Sequence, residues 1–222
     1  MIGIKNVIAI ICGGGPAPGI NSVISAVVSE ATRHGWDVLG IYDGFSRIAR
    51  GEKNYVRLEP ANISRIHLTG GCILKMSRFN PTKKESDLRT VVETLTELGV
   101  THLVTIGGDD TAFSSMAVSE YARKMGRTIN VVHVPKTIDN DLAITDHTPG
   151  FGSAAKYIAA STKEVIRDAL GFSYKKKNVN IIEIMGRNAG WLVGATTLAR
   201  QEDCDGPDLI YLPEVPFDIE AF

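Results

Sequence analysis

Short apolar runs alternate with longer amphipathic runs along most of the chain, and this alternation limits most strongly how the chain can fold. The strand-length runs Val7–Cys12 and His102–Ile106 are each followed directly by glycines. Between such runs, apolar residues recur at helical spacing, as in Ile20–His34, which stops before Gly35. This rhythm predicts an α/β fold in which helices cover both faces of a parallel sheet.

The same patterns predict the order of the elements. Strands are expected at Val7–Cys12, Trp36–Ile41, His102–Ile106, Ile129–Val134, Asn178–Ile184 and Asp208–Leu212. Helices are expected at Ile20–His34, Lys84–Leu98, Ala112–Met125, Ser153–Leu170 and Asn188–Arg200. A polar loop, Asp141–Gly150, separates two strand–helix groups, so we expect one domain over residues 1–141 and another over 142–222. Because Leu212–Phe222 has the pattern of a strand, a loop and the first turn of a helix, we expect the second domain to be incomplete.

Composition argues against several functional classes. The net charge is −1, so no global field attracts nucleic acid or an anionic membrane. The three cysteines are far apart without metal-ligand spacing, and a low, odd number is typical of a reducing compartment. No apolar run is long enough to span a bilayer, and the first one leads into glycines rather than a cleavage site. We therefore expect a cytoplasmic protein without nucleic-acid or membrane partners.

The loops that follow the predicted strands are the places to look for a site. In open parallel sheets, ligands bind outside the carboxyl ends of the strands. Glycine-rich or charged loops follow strands at Gly13–Asn21, Gly107–Thr111, Pro135–Asp141, Met185–Arg187 and Pro213–Glu214.

The loop Gly13–Asn21 opens a helix. Glycines let backbone N–H groups approach an anion, and a helix N-terminus favours negative charge. Ile20 and Asn21 stand where a Walker loop has Lys and Ser or Thr, so the loop is not of that type. A phosphate site is favoured over the alternative, a plain strand-to-helix turn.

The loop Gly107–Thr111 carries two adjacent carboxylates, Asp109 and Asp110. Two like charges at the end of a sheet repel each other unless a cation or solvent intervenes. A magnesium ion that bridges phosphate oxygens would supply that cation. The alternative is a solvated pair of aspartates that caps the next helix.

The loop Pro135–Asp141 has the strongest chemical character. A carboxylate such as Asp139 can take the proton of a substrate hydroxyl during phosphoryl transfer, and Lys136 offers a point charge for phosphate. Asp139 and Asp141 are two residues apart, so an extended loop would turn both to one side. The alternative is a polar Asx-turn.

Three further charged residues belong to the candidate set. Arg187, after a predicted strand, and Arg78, in a glycine-containing loop, suit bidentate phosphate binding. For both arginines, a solvent-exposed charge is an equally good alternative. For Glu214 on its own, an exposed loop acid is the favoured interpretation, and binding of sugar hydroxyls is the alternative.

Taken together and in order, these segments resemble the phosphofructokinase family. The matching segments are Gly14–Gly19, Ile41–Gly44, Gly107–Asp110, Thr137–Asp141, Thr145–Phe151, Met185–Arg187 and Pro213–Glu214. The resemblance implies two Rossmann-like parallel-sheet domains, the second incomplete here, and a homo-oligomer, dimeric or tetrameric. The first domain would bind the phosphate donor and the second the sugar phosphate.

The resemblance also implies roles for individual residues. Asp139 would be the base that accepts the proton of the 1-hydroxyl of fructose 6-phosphate, with Lys136 and Arg187 also catalytic. Asp109 would hold Mg²⁺. Donor phosphates would be bound by Gly15, Arg78, Gly108, Asp110, Thr111 and Lys136. Fructose 6-phosphate would be bound by Thr137, Asp139, Asp141, Met185, Gly186, Arg187 and Glu214.

Two positions indicate the donor. Members of the family that use ATP typically have glycine where this chain has Asp110 and Lys136. A carboxylate at 110 would repel the α-phosphate of a nucleotide, and an ammonium at 136 would hold pyrophosphate. The resemblance therefore implies reversible, glycolytic phosphoryl transfer from pyrophosphate to fructose 6-phosphate, with an ATP-dependent enzyme as the alternative.

A second alternative is a non-catalytic regulatory subunit or fragment of the same family. Asn178 stands where the family usually has an arginine that reaches a neighbouring subunit's sugar phosphate. The His and Arg residues that grip the 6-phosphate normally follow the Pro-Glu pair by some distance, and this sequence stops soon after Pro213–Glu214. The intact Asp139 favours an enzyme.

Overall fold

The computed structural model describes residues 6–173, 175, 178–220 and 222. The chain divides into two compact units, Met1–Lys136 and Thr137–Phe222. The division falls at the start of the Thr137–Asp141 segment, whereas the sequence placed the boundary after that segment.

The first unit is built on a five-stranded sheet with the strand order β3-β2-β1-β4-β5. The strands are β1 (Val7–Cys12), β2 (Asp37–Ile41), β3 (Tyr55–Arg57), β4 (His102–Gly107) and β5 (Asn130–Pro135). Only β3, at one edge, runs antiparallel to its neighbour, and the other pairs are parallel. The predicted α/β fold with a mostly parallel sheet is confirmed.

Helices connect these strands and continue into the second unit. They are α1 (Ile20–Arg33), α2 (Phe45–Ile48), α3 (Pro60–Ile63), α4 (Glu85–Glu97), α5 (Asp109–Lys124), α6 (Phe151–Leu170) and α7 (Trp191–Gly194). Short 3₁₀ turns lie at Ile66–Leu68, Pro81–Lys83 and Ala195–Ala199. Within the described residues, no helix has both the length and the apolar character needed to cross a membrane.

Side chains of the first strands alternate between two buried clusters, one on each face of the sheet. Ala9 and Ile11 belong to the cluster that contains residues of α4 and α5, whereas Ile8 and Ile10 belong to the cluster that contains residues of α1. Each fully buried aliphatic side chain of this kind contributes about 1.5–3 kcal/mol. Burial of both faces explains why β1 is a continuous apolar run rather than an alternating one.

The register of the parallel strands brings their carboxyl ends to one edge of the sheet. Cys12 pairs with Ile106, and Gly107 pairs with Pro135. The residues that follow each strand, Gly13, Gly108 and Lys136, therefore begin loops at the same edge. This edge is where the sequence predicts a ligand.

In the second unit the predicted strands Asn178–Ile184 and Asp208–Leu212 do not form, and this part of the prediction is wrong. A strand is stable only when its backbone groups find partners in a neighbouring strand. Neither segment pairs with another strand in the described part of the unit, and Val179, Ile181 and Leu209 are exposed. Apolar composition alone did not show whether these segments would find partners among the described residues.

The predicted helix Asn188–Arg200 is also shorter than expected. It begins as α7 at Trp191 and changes into 3₁₀ geometry after Gly194. Gly190 and Gly194 lower the helix propensity of this stretch. The hydroxyls of Thr196 and Thr197 donate to the carbonyls of Val193 and Gly194, and such bonds compete with regular helix bonding.

Candidate active site

The glycine loop after β1 is held by backbone hydrogen bonds on two sides. Gly13 N–H donates to Ile106 O at 2.9 Å, and Gly14 N–H donates to Ser77 O at 3.0 Å. Gly19 has φ 98° where α1 begins, a conformation in which a side chain would be strained. The loop is therefore fixed beside β4 and beside the segment that carries Arg78.

Thr111 lies where the two glycine turns meet. A Cβ atom on Gly13 would collide with the Thr111 side chain, and one on Gly107 would lie 2.8 Å from Gly13 O. Glycine at both positions is required by this close approach. Thr111 is itself buried, so its first role in the fold is to pack these turns together.

Two cationic side chains reach adjacent glycines of the loop. A Cβ atom built on Gly14 would lie 3.8 Å from Lys136 Nζ, and one built on Gly15 would lie 3.9 Å from Arg78 Nη2. Lys136 is only 9% exposed, and its N–H donates to Gly107 O at 2.8 Å. A backbone loop with an ammonium and a guanidinium at its surface has the composition of a phosphate site.

Asp109 and Asp110 lie in the first turn of α5, which begins three residues before the predicted Ala112. Both carboxylates are exposed. Acidic side chains at this position stabilise a helix through its dipole, so the pair has a structural role in addition to any role in metal binding. Among the described residues, no three His, Cys, Asp or Glu side chains come together as a ready-made metal cluster.

Cys12 ends β1 directly before the glycine loop. A hydrogen bond with Cys72, together with burial, raises the pKa of the Cys12 thiol, although the positive charge of Lys136 acts in the opposite direction. At neutral pH Cys12 is therefore a protonated core thiol and not a nucleophile.

A polar network that the sequence analysis did not identify lies beside these turns. His133 Nδ1 is 2.9 Å from Thr105 Oγ1, and His133 Nε2 is 3.1 Å from Gly107 O. Ser115 Oγ donates to Thr105 Oγ1 at 2.7 Å, which leaves the hydroxyl hydrogen of Thr105 for His133. A carbonyl can only accept, so Nε2 carries the hydrogen and Nδ1 accepts from Thr105. The signal was present in the sequence as polar residues within the apolar strands β4 and β5.

His133 makes stability depend on pH. Burial lowers the pKa of its imidazole, although the Gly107 carbonyl and the charge of Asp109 oppose this shift. The folded state therefore binds a proton less readily than the unfolded state, whose histidine titrates near pH 6.5. The stability that follows from a neutral His133 is present above that pH and is lost as the pH falls.

We expect the melting temperature of the wild-type protein to fall more between pH 7.5 and pH 5.5 than that of His133→Gln, which does not titrate. Differential scanning calorimetry at both pH values measures this difference. Equal slopes for the two proteins would contradict the assignment of a neutral His133 in the folded state.

In the second unit, the segment Thr137–Asp141 is tied to residues that follow it. Thr137 N–H donates to Pro149 O at 3.1 Å, and Asp139 N–H donates to Thr137 Oγ1 at 3.1 Å. Asn140 has φ 57°, in the left-handed region, so the expectation of an extended loop is wrong. A left-handed residue between Asp139 and Asp141 turns the chain, and period-two alternation of side chains does not apply to a turn. Asp139 is half-buried and Asp141 is exposed.

In the second unit, Glu214 contacts the backbone a few residues after the segment Met185–Arg187. Gly186 has φ 120°, and Met185 and Arg187 on either side of it are exposed. Glu214 Oε1 accepts a 2.7 Å hydrogen bond from the N–H of Gly190, which precedes α7. The carboxylate of Glu214 therefore fixes the backbone that follows Arg187, which the sequence analysis did not foresee.

Comparison with known proteins gives the same family over almost the whole chain. The family model described as phosphofructokinase matches residues 7–222. A pyrophosphate--fructose 6-phosphate 1-phosphotransferase of Thermotoga maritima is 49% identical over 187 residues, covering 83% of this chain and 43% of that protein. An ATP-dependent 6-phosphofructokinase of Chloroflexus aurantiacus is 37% identical over 224 residues, covering 97% of this chain and 58% of that protein.

Solved structures with a similar fold belong to the same family. A crystal structure of a pyrophosphate-dependent phosphofructokinase from Marinobacter aquaeolei superposes with a TM-score of 0.81 at 30% identity, covering 97% of this chain and 55% of that one. The chain thus spans about half the length of the relatives it matches. Because the family model covers all but the first residues and includes every glycine turn and acidic loop described above, the chain belongs to the phosphofructokinase family.

Proposed function

We propose that this chain supplies the donor site and the catalytic loop of an enzyme that transfers a phosphoryl group from pyrophosphate to the 1-hydroxyl of fructose 6-phosphate. The observation that carries the proposal is the convergence of Lys136 and Arg78 on adjacent glycines of one loop. Pyrophosphate is a compact polyanion without a nucleoside to bind, so a small cationic site suits it.

Donor preference is assigned to Asp110 and Lys136. The ammonium of Lys136 is almost fully buried beside Gly14, where its attraction for phosphate is weakly screened. The carboxylate of Asp110 is exposed at the start of α5 and would repel a further phosphate of a nucleotide. Gly15, Gly108 and Thr111 complete the proposed donor site.

The proposed acceptor site lies in the second unit. Asp139, half-buried in the tethered loop, takes the proton of the 1-hydroxyl as the new P–O bond forms. Lys136 of the first unit and Arg187 are also assigned to catalysis, each as a cation suited to stabilising negative charge on phosphate. Thr137, Asp141, Met185, Gly186 and Glu214 are assigned to fructose 6-phosphate.

Magnesium is the proposed cofactor, and Asp109 is the residue assigned to it. Mg²⁺ is usually bound through one or two carboxylates together with substrate phosphates and water. The exposed carboxylates of Asp109 and Asp110, one and two residues after Gly108, fit that requirement. When bound, the ion would neutralise charge on the phosphate oxygens.

The proposal also includes the pathway, the cellular compartment and the oligomeric state of the enzyme. We assign it to glycolysis in the cytoplasm, acting reversibly and as a homodimer or homotetramer. The units Met1–Lys136 and Thr137–Phe222 are assigned to donor binding and to sugar-phosphate binding, respectively. An ATP-dependent enzyme is the second candidate, because a relative named as one is 37% identical.

The deciding experiment compares fructose 1,6-bisphosphate formation with pyrophosphate and with ATP, at matched concentrations and with magnesium, in the full-length protein. We expect kcat/KM for pyrophosphate to exceed that for ATP by about 100-fold or more, which corresponds to roughly 2.7 kcal/mol. A higher kcat/KM for ATP would overturn the donor assignment while leaving the family unchanged.

A further inference from the structure

Asn140 combines two properties that are rarely found in one residue. Its backbone has φ 57°, in the left-handed region, where only glycine avoids a steric cost and asparagine is enriched. Its side chain is 6% exposed, although asparagine is mostly a surface residue. Such a residue persists only where its surroundings hold it in place.

The Asn140 amide is held by two backbone groups of the segment that follows the loop. Its Oδ1 accepts a 2.8 Å hydrogen bond from Thr148 N–H, and its Nδ2 donates a 3.1 Å hydrogen bond to Asp146 O. Since an N–H can only donate and a carbonyl can only accept, this orientation of the amide is the one that satisfies both. Neither aspartate nor a hydroxyl side chain can supply the same pair of groups.

Thr148 extends this link back to Thr137. Its Oγ1 donates to Thr137 O at 2.7 Å, and Thr148 is 3% exposed. Thr137 Oγ1 in turn accepts from Asp139 N–H at 3.1 Å. The bonds form a closed path from Asn140 through Thr148 and Thr137 to the residue before Asn140, so the backbone of Asp139 is fixed from both sides.

From this path we infer that Asn140 is a positioning residue that holds Asp139 in the geometry needed for proton transfer. The inference rests on the proposed function, in which Asp139 is the base. Asn140 is assigned no contact with the reacting atoms. It acts by fixing the turn between the two carboxylates, because a general base is effective only within hydrogen-bond reach of the proton it removes.

Two substitutions separate the conformation of Asn140 from its bonds. Asn140→Gly retains the left-handed backbone without strain but removes both side-chain bonds. Asn140→Asp retains an acceptor for Thr148 N–H but places a carboxylate against the Asp146 carbonyl. Ile144→Gly is the matched control, because Ile144 lies in the same loop with φ 58° and a fully exposed side chain.

We expect Asn140→Gly and Asn140→Asp to lower kcat by about 10- to 100-fold, because a small displacement of a catalytic group has effects of this size. KM for pyrophosphate should change by less than about twofold, since the residues assigned to the donor belong to the other unit. Ile144→Gly should leave both constants unchanged. A normal kcat in Asn140→Gly, even with a lower melting temperature, would overturn the inference and leave Asn140 a structural residue.

Amide hydrogen exchange tests the hydrogen bonds that join Asn140, Thr148 and Thr137 without a measurement of turnover. In Asn140→Gly, exchange at the Thr148 and Asp139 amides should accelerate by about 10-fold or more, whereas Ile144→Gly should leave both protected. An unchanged exchange rate at the Thr148 amide would show that the Asn140 side chain does not hold the backbone of Thr148. A wild-type protein that shows no turnover would contradict the proposed function instead, and the exchange rates would still decide whether Asn140 holds the loop.

Discussion

Asp139→Asn is expected to lower kcat by about 10³-fold, and Asp139→Ala by at least as much. The amide of asparagine has nearly the shape of the carboxylate but cannot accept the proton of the 1-hydroxyl, and loss of a general base costs 10²- to 10⁴-fold. Asp139 is half-buried in a loop fixed by Thr137 and Asn140, so the substitution should not displace the backbone.

Steady-state kinetics in both directions, with binding of fructose 6-phosphate measured by calorimetry, check this prediction. We expect binding of fructose 6-phosphate to change by less than about threefold, because an interaction made only in the transition state affects kcat and not ground-state binding. Asp168→Asn, at an exposed site on α6 in the same unit, is the control. Turnover by Asp139→Asn at the wild-type rate would remove Asp139 from the role of base.

The sequence was most informative for the first unit. Its strands are short apolar runs that end at glycines, and the predicted β1, β2, β4 and β5 agree with the structure to within one residue at each end. Both faces of the sheet are covered, so its inner strands appear in the sequence as continuous apolar runs that are easily recognised as strands. The short edge strand β3 was missed, because its three residues pair with β2 but are partly exposed and carry no clear pattern.

The sequence was less informative for the second unit, for a physical reason. The segment around Ile181 and Ile182 has the composition of a buried strand, but pairing depends on residues elsewhere in the chain. The apolar pattern of a segment shows which side chains it would bury in a sheet. It does not show whether a neighbouring strand is available to pair with it. The long helix α6 was predicted well, because its hydrogen bonds lie within the segment itself.

The candidate site shows a similar division. Lys136 and the glycine loop directly follow strands, so the positions of the strands were enough to place them at one edge of the sheet. Arg78 follows no strand, and its segment reaches the glycine loop through backbone contacts of Ser77 that the sequence did not indicate. The links made by Asn140 could not be predicted, because they depend on a left-handed backbone that the sequence allows without requiring. Polar residues within β4 and β5 were a signal of the His133 network, but its hydrogen bonds could not be predicted, because they depend on the register between the two strands.

The double substitution Asp110→Gly and Lys136→Gly is expected to lower kcat/KM for pyrophosphate by about 100-fold and to raise the ratio of ATP use to pyrophosphate use. Removing Lys136 takes a nearly buried ammonium from beside Gly14, and a hydrogen bond to a charged group contributes about 1.5–3 kcal/mol. Removing Asp110 takes a negative charge from the first turn of α5, where a nucleotide would place another phosphate.

The two single variants assign these effects to one residue each. Lys136→Gly alone should account for most of the loss with pyrophosphate, because it removes an attractive contact, whereas Asp110→Gly alone should mainly improve ATP, because it removes a repulsive one. Lys124→Gly, at an exposed site in the last turn of α5, controls for loss of a lysine charge in the same unit. If the double variant and both single variants at positions 110 and 136 retained the wild-type ratio of kcat/KM for the two donors, discrimination between pyrophosphate and ATP would have to come from residues other than Asp110 and Lys136. The phosphate contacts proposed for Gly15 and Arg78 would then hold either donor equally well, because a backbone N–H and a guanidinium can bind the phosphate oxygens of any polyphosphate.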